Sequence, residues 1–495
     1  MTEDRLLRMV YLIVFVLTIV PAIYIGSQAV VVDPDSGFEF TNAQRLVLGG
    51  DPEPGPVLQQ YGNAVVLLVF DFDYASILAV QCLLTALIFV VISVLARESG
   101  DRYAGLFALA SLLPLQVAFF GPSTLKQYPL FLLFLLLSLL YFYRFTKSGG
   151  RRTLILSGLF MAAASITHLL ALPFVSVVIV YYLVSRVKSN NRGSLRNLVL
   201  FCLVVLALLL PYLAWRASLG SLSLDSVTTY PSSWMTLKYG KIINEEFWGF
   251  TPSLTLGYFQ DLFKLLVGYA FLPLFLPFII LGLVTCCHKV FYLSWLFLLL
   301  APYLAGRGVL SWVYTYPFFP FAVILVALGL REFTKWRLRR SLIATVLVVF
   351  LVFAAYGLST TITAYEQRFG NLMEVEDDAF KMEDIVPTGV NILSRSRGLS
   401  NLLPQRVVFG LGDLSEEDAI LYLNWTSDSI VGDVFDKYGL SFVIMHKEVG
   451  YERDYHVWFE HLMGHKPRHY YMIEESSYFR LRYDGNKFKL YEFIR

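Results

Sequence analysis

The feature that most constrains this chain is a succession of apolar stretches, each close to the length of a bilayer crossing and each bounded by charged or turn-forming residues. A helical span needs about 20 apolar residues to cover a hydrocarbon core roughly 30 Å thick. By that measure, spans are expected near residues 9–32, 74–95, 104–120, 129–145, 153–168, 170–185, 197–215, 258–285, 290–306, 311–330 and 341–358. Lipid offers no partner to a bare peptide group, so segments of this kind cross as helices. The expected fold is mostly α, a polytopic bundle of about eleven transmembrane helices. Composition agrees: 16% of the residues are charged, against about 25% in an ordinary soluble domain.

The first stretch follows Arg5 and Arg8 and could pass for a secretion signal. It is longer than the usual apolar region of roughly 7–15 residues and carries no small-x-small cleavage pattern before Asp33, so it reads as a retained helix. The 153–185 stretch could be one long tilted helix or a tight hairpin. Arg151 and Arg152 flank one end, while Arg186, Lys188, Arg192 and Arg196 flank the other. Basic residues stay cytoplasmic, so both ends belong on one side and the segment must cross an even number of times. A hairpin follows. The same rule puts Arg97 and Arg102, Arg144 and Lys147, and the cluster from Arg331 to Arg340 inside. The expected location is the cell membrane, multi-pass, with the N-terminus cytoplasmic and the C-terminal domain extracytoplasmic.

Three outward segments are longer than turns require: 33–73, the aromatic-rich 216–257, and everything after Tyr356. Long loops on one face suggest that function lies there. Two domains are expected, a membrane portion over 1–360 and a soluble α/β domain over 366–495. Within the latter, RVVF and LSFVIM read as strands, and SEEDAILYL and SIVGDVFDKYG as helices. The tail YFRLRYDGNKFKLYEFI reads as a hairpin turning at Asp484-Gly485.

Several chemistries are disfavoured. Cys82, Cys202, Cys286 and Cys287 all fall in or beside apolar runs, which suits neither a disulfide framework nor a zinc site. His461 and His465 are four apart but lack the glutamate of the zincin pattern. Asn424-Trp425-Thr426 matches a glycosylation acceptor, a pattern that also arises by chance. No Lys/Arg-rich tract suggests nucleic-acid binding.

The acidic loop after the first helix is more informative. Asp33, Asp35, Glu39 and Asp51 fall together, and Phe40, Ala43, Leu46 and Val47 follow at helical spacing. That pattern predicts an amphipathic helix lying on the membrane surface and holding the carboxylates over the bundle. The alternative is a set of carboxylates that are simply solvated.

The run from Asp33 to Gly50, with AQRLVLGG after Asp35 and Phe38, resembles the first outward loop of the GT-C superfamily. These are polytopic glycosyltransferases that use sugars linked to polyprenyl phosphate. QQYGNAVVLLVF, LKQYPLFLLFLLLSLLYFYR, SGLFMAAASITHLLALPFV and RGVLSWVYTYPFFPFAVILVALGL resemble later elements of that superfamily, in the same order. The acidic pair is Asp-Pro-Asp where relatives commonly carry adjacent Asp-Glu, and Lys126-Gln127 stands where many have Asp. The Trp-Trp-Asp triplet of oligosaccharyltransferases is absent.

The resemblance implies an inverting glycosyltransferase, hexosyl or pentosyl, of GT-C type. Its partners would be a polyprenyl-phosphate sugar donor, a lipid, glycan or protein acceptor, and membrane lipids. The chemistry needs a base for the acceptor hydroxyl and cations for the departing phosphate. Asp35 is the candidate base, with Asp33 second. Lys126, Arg307 and His168 are candidates for the donor phosphate, although each also suits a plainer role at a helix end. No cofactor is expected, and a divalent metal stays open. A transporter or flippase for lipid-linked glycans is the alternative, but it would usually show internal repeats and charged, broken helices at the midplane, which this sequence lacks.

The topology predicts that cysteines introduced at positions 45 and 430 react with an impermeant thiol reagent from outside, and those at 149 and 335 only from inside. Outside labelling at 149 would rule out the hairpin assignment.

Overall fold

A computed structural model describes the chain chiefly over residues 34–47, 57–70, 74–112, 128–168, 193–218, 272–286, 319–335, 372–394, 406–410, 414–447 and 467–495, with isolated positions elsewhere. The membrane portion comprises α1 (Pro34–Val47), α2 (Val57–Val69), α3 (Tyr74–Ser99), α4 (Arg102–Leu112), α5 (Tyr128–Ser148), α6 (Arg151–Thr167), α7 (Gly193–Ser218), α8 (Leu272–Thr285) and α9 (Phe319–Lys335). Among the described residues, Ala79–Ser99, Pro129–Ser148 and Leu195–Trp215 are long and apolar enough to cross a membrane. The expected spans at 9–32, 104–120, 170–185, 258–285, 311–330 and 341–358 are described in part, and 290–306 lies outside the described residues.

The 153–185 stretch is a hairpin. Helix α6 stops at Thr167, and His168 leaves it in extended conformation, with φ −155° and ψ 129°. The His168 ring lies 5.4 Å from that of Phe131, near the start of α5. Tyr182 is back at the far end of α5, with its ring 5.8 Å from Phe142 and 6.2 Å from Phe145. The chain therefore runs the length of α5 twice.

Charged contacts tie one end of the bundle. Glu98 of α3 accepts hydrogen bonds from Arg144 of α5 through Nη2 at 2.6 Å and Nε at 2.9 Å. Asp101 caps α4, accepting from the N–H groups of Tyr103 at 2.9 Å and Ala104 at 3.2 Å. Its second oxygen pairs with Arg331 of α9. The Tyr103 ring takes the guanidinium groups of Arg102 and Arg331 at 5.2 and 5.4 Å. These groups come from the positions that the basic-loop rule assigned to a single face.

Further along, lipid gives no hydrophobic drive to bring helices together, so close packing and hydrogen bonds carry the contact. Ser138 and Ser157 donate to each other's carbonyls at 2.8 and 2.9 Å, joining α5 to α6. Helices α8 and α9 meet at Gly282 and Gly329. A Cβ on Gly282 would collide with the Leu325 carbonyl, and one on Gly329 with that of Phe278.

The C-terminal portion is a five-stranded sheet with helices. It contains α10 (Leu372–Ile385), β1 (Asn391–Ser394), β2 (Val407–Phe409), α11 (Glu416–Asn424), α12 (Asp428–Tyr438), β3 (Leu440–His446), α13 (His469–Glu475), β4 (Phe479–Asp484) and β5 (Phe488–Phe493). The order is β2-β1-β3-β5-β4, parallel among the first three strands and antiparallel thereafter. One face buries Trp425, Phe435 and Phe479, and the other buries Met382, Ile392 and Leu490. Ser415 and Ser427 accept from the third residue onward and so cap α11 and α12. The glycosylation-like pattern is a helix end: Trp425 adopts the left-handed conformation at φ 40°, is buried, and donates its Nε1–H to Asp428 at 3.0 Å.

The expected hairpin at Asp484-Gly485 is β4–β5, and Asp378 of α10 fastens its turn. The Asp378 carboxylate accepts the N–H groups of Asn486 at 2.9 Å, Lys487 at 2.6 Å and Phe488 at 3.0 Å, plus the Tyr483 hydroxyl at 2.8 Å. A Cβ at position 485 would run into this carboxylate, which is why glycine stands there. Burial alone pushes the Asp378 carboxyl up, but these hydrogen bonds outweigh it and hold the group below the usual carboxylate range. A carboxyl whose pKa is lower folded than unfolded adds stability above about pH 4 and loses it as the pH falls through the folded value. Asp378→Asn should therefore speed hydrogen exchange at Asn486–Phe488 by roughly tenfold or more at pH 7. The difference from the parent protein should shrink as the pH falls below about 4.

Candidate functional site

The end of the bundle away from the Glu98–Arg144 pair is formed by α1, α2, the start of α3 and the His168 end of α6, with α2 packing against α1, α3 and α6. Asp-Pro is a natural helix start, because proline at the first helical position loses no hydrogen bond and its φ is already helical. Accordingly α1 begins at Pro34, which puts the backbone of Asp35 in its first turn. His168 is at the same end of the bundle, half-buried, with its N–H donating to the Ala164 carbonyl at 2.8 Å and its ring against Phe131. Asp33, Lys126 and Arg307 lie outside the described residues, as does the side chain of Asp35.

Between Phe40 and Gln44, helix α1 is buried on more than the one apolar face its spacing suggested. Phe40 and Ala43 pack against Ala64 and Leu67 of α2 and Ile77 of α3. Asn42, on the opposite side of the helix, is also buried, at 2% exposure. The helix is enclosed on both faces. On α2, by contrast, Val65, Leu68 and Val69 are exposed.

One turn along from that apolar contact lies a layer of amides that sequence reading missed. Gln44 follows Phe40 by one turn on α1, and Gln81 follows Ile77 by one turn on α3. On α2, Gln60 and Asn63 precede Ala64 and Leu67 by one turn. All four are buried at 2% exposure or less. Gln59 donates to Asn63 at 2.9 Å. Both amide atoms of Gln44, Gln60 and Gln81, and the nitrogen of Asn63, have no hydrogen-bond partner among the described residues. An unsatisfied buried polar group costs about 1–3 kcal/mol, so this side of α1 rests on packing without directional bonds. The signal was in the sequence: glutamine at buried-face spacing within apolar helices.

The other side of α1 meets the C-terminal sheet. The Arg45 guanidinium lies 4.6 Å from the Phe409 ring centroid on β2. Phe409 in turn meets the Tyr438 ring edge-on at 6.4 Å. The Tyr438 hydroxyl donates to Asp418 at 2.7 Å, and Lys437 Nζ donates to the same oxygen at 2.6 Å. Burial pushes the Asp418 carboxyl up, but its hydrogen bonds from Lys437, Ser415 and Tyr438 bring it below the ordinary range.

Two of the C-terminal histidines pack against aromatic rings. His446 packs edge-on against Phe488 at 5.0 Å, and His469 packs against Tyr422 at 5.2 Å. Among the described residues no three His, Cys, Asp or Glu gather as a metal site.

Comparison with known proteins fits this architecture. Crystal structures of ArnT from Cupriavidus metallidurans superpose with TM-scores of 0.63 in the apo state and 0.64 with undecaprenyl phosphate bound, at 14% and 13% identity, covering 97% of both chains. The chain has the GT-C fold. The oligosaccharyltransferase of Archaeoglobus fulgidus, tethered to an acceptor peptide, superposes with a TM-score of 0.60 at 12% identity, covering 92% of this chain and 71% of the other. Residues 55–215 match the family model described as dolichyl-phosphate-mannose-protein mannosyltransferase. No curated protein sequence matches the chain.

Because these amides have no partner among the described residues, apolar side chains of similar size should suit their positions better. Gln81→Leu is expected to raise the thermal unfolding midpoint of the full-length protein in lipid nanodiscs, corresponding to about 1 kcal/mol. A lowered midpoint would show that Gln81 is paired.

Proposed function

We propose that the protein is an inverting glycosyltransferase that moves a sugar from a polyprenyl-phosphate donor to an acceptor at the outer membrane face. The observation that carries this reading is the GT-C fold, matched over 97% of the chain to a protein crystallised with undecaprenyl phosphate. The start of α1 supports it, since a carboxylate-bearing first turn at one end of the bundle is where a base for an incoming hydroxyl is needed.

In this reading Asp35 removes the acceptor hydroxyl proton. The oxygen attacks the anomeric carbon from the side opposite the phosphate, the carbon–phosphate oxygen bond breaks, and the configuration inverts. The phosphate leaves as an anion on the lipid and is stabilised by Lys126, Arg307 and His168. Asp33 is the second carboxylate. The N-terminus lies in the cytoplasm and the C-terminal domain outside. Residues 1–360 form the transferase portion and 366–495 the soluble domain. The acceptor is a lipid, glycan or protein hydroxyl, and the transferred unit is a hexose or pentose.

Asp35→Asn keeps the shape of the loop and removes the base, so turnover of a radiolabelled undecaprenyl-phosphate sugar in nanodiscs should fall by roughly 10²–10⁴-fold. Donor binding should survive, whereas Lys126 or Arg307 substitutions should weaken it. A larger loss in Asp33→Asn than in Asp35→Asn would exchange the two roles. Full transfer by both Asn variants would overturn the reading, as would movement of intact lipid-linked glycan across vesicles with no new glycosidic bond. That second outcome would identify a flippase.

A further inference from the structure

Helix α1 is held unequally. Phe40 and Ala43 pack against α2 and α3, while the amides of Gln44, and of Asn42 on the other side, have no hydrogen-bond partner among the described residues. Towards the C-terminal sheet the helix presents Arg45, whose guanidinium lies 4.6 Å over Phe409. Phe409 is not a loose surface ring. It is the last residue of β2, pairs in register with Leu393 of β1, and leans on Tyr438. Tyr438 is anchored by Asp418, and its ring is also covered by Lys437 Nζ at 5.5 Å. An unbroken series of contacts thus runs from the capped start of α11 to the helix that carries Asp35.

Among the described residues these amides add no hydrogen bond to the apolar packing of Phe40 and Ala43, so that face is held by shape alone. The directional contact is the one between Arg45 and Phe409. A cation over an aromatic face is directional and gains strength when partly desolvated. Arg45 also follows Asp35 at a spacing of ten residues, close to three full helical turns, so a shift of Arg45 along or about the axis moves the Asp35 backbone with it.

We propose that Phe409 is a positioning residue of the membrane site: through Arg45 it fixes the placement of α1, and with it Asp35, so that the C-terminal domain sets the geometry of the transferase portion. The catalytic part of this statement rests on the proposed function. The placement of α1 does not.

Full-length protein in nanodiscs separates the two. Hydrogen exchange is followed over Phe40–Arg45 and, as an internal reference, over β1 and β3. Phe409→Leu keeps apolar volume and removes the ring face, and it should accelerate exchange in α1 by roughly twofold to thirtyfold while β1 and β3 stay as in the parent. Phe409→Tyr keeps the ring face and should restore parental exchange. Unchanged α1 exchange in Phe409→Leu overturns the proposal. So does equal acceleration throughout the sheet, which would make Phe409 a packing residue of its own domain, and so does failure of Phe409→Tyr to restore. With a radiolabelled undecaprenyl-phosphate sugar, Phe409→Leu should lower kcat with little change in KM, and Phe409→Tyr should recover it. If the parent protein turns over no such donor, the transferase reading fails, while the exchange result still decides whether Phe409 places α1.

Discussion

The rest of the bundle depends on what Asp101 does with its two carboxylate oxygens. One closes the first turn of α4, and the other pairs with Arg331. A single side chain thereby joins the start of α4 to the last turns of α9, segments far apart in sequence. In lipid, where apolar surface gains nothing by leaving its surroundings, such directional contacts decide which helices are neighbours. The Glu98–Arg144 pair and the reciprocal Ser138–Ser157 bonds extend the same logic across α3, α5 and α6. With one end secured by charge, the other end can be assembled from groups that lack fixed partners.

That other end shows a division of labour. Helix α2 turns Val65, Leu68 and Val69 outward and its amides inward, so it serves both the lipid and α1. Helix α1 lies between buried amides that have no hydrogen-bond partner among the described residues and a sheet whose Phe409 ring meets Arg45. Stability is spent at the charged end and in the C-terminal cores, where Asp378 and Trp425 are fully engaged.

How far all this could be read from the amino acids varied with the kind of signal. Length and apolarity pointed to Ala79–Ser99, Pro129–Ser148 and Leu195–Trp215, which among the described residues are long and apolar enough to cross a membrane. The basic residues around 153–185 were enough for the hairpin, which the break at His168 and the return at Tyr182 display. Asp484-Gly485 marked its hairpin correctly, although the reason for the glycine is the distant Asp378, which no local pattern contains. Strand β1 passed unnoticed because four residues with no clear alternation carry little periodicity. The spacing of Phe40, Ala43, Leu46 and Val47 correctly announced a helix but not its surroundings. Periodicity reports one apolar face, and burial of Asn42 on the other side depends on the fold. Of the candidate site, the sequence offered residue types and order, whereas the coupling of Arg45 to Phe409 spans most of the chain and could only be seen in three dimensions.

The contact between α8 and α9 has a mechanical consequence. Where Gly282 faces Leu325 and Gly329 faces Phe278, main chain touches main chain with no intervening side-chain layer. Two rods joined through a cushion of side chains can slide by changing rotamers, but rods in direct backbone contact have no rotamers to change. This pair is therefore built to bend and tilt as one beam, which leaves any sliding of helices to other seams of the bundle.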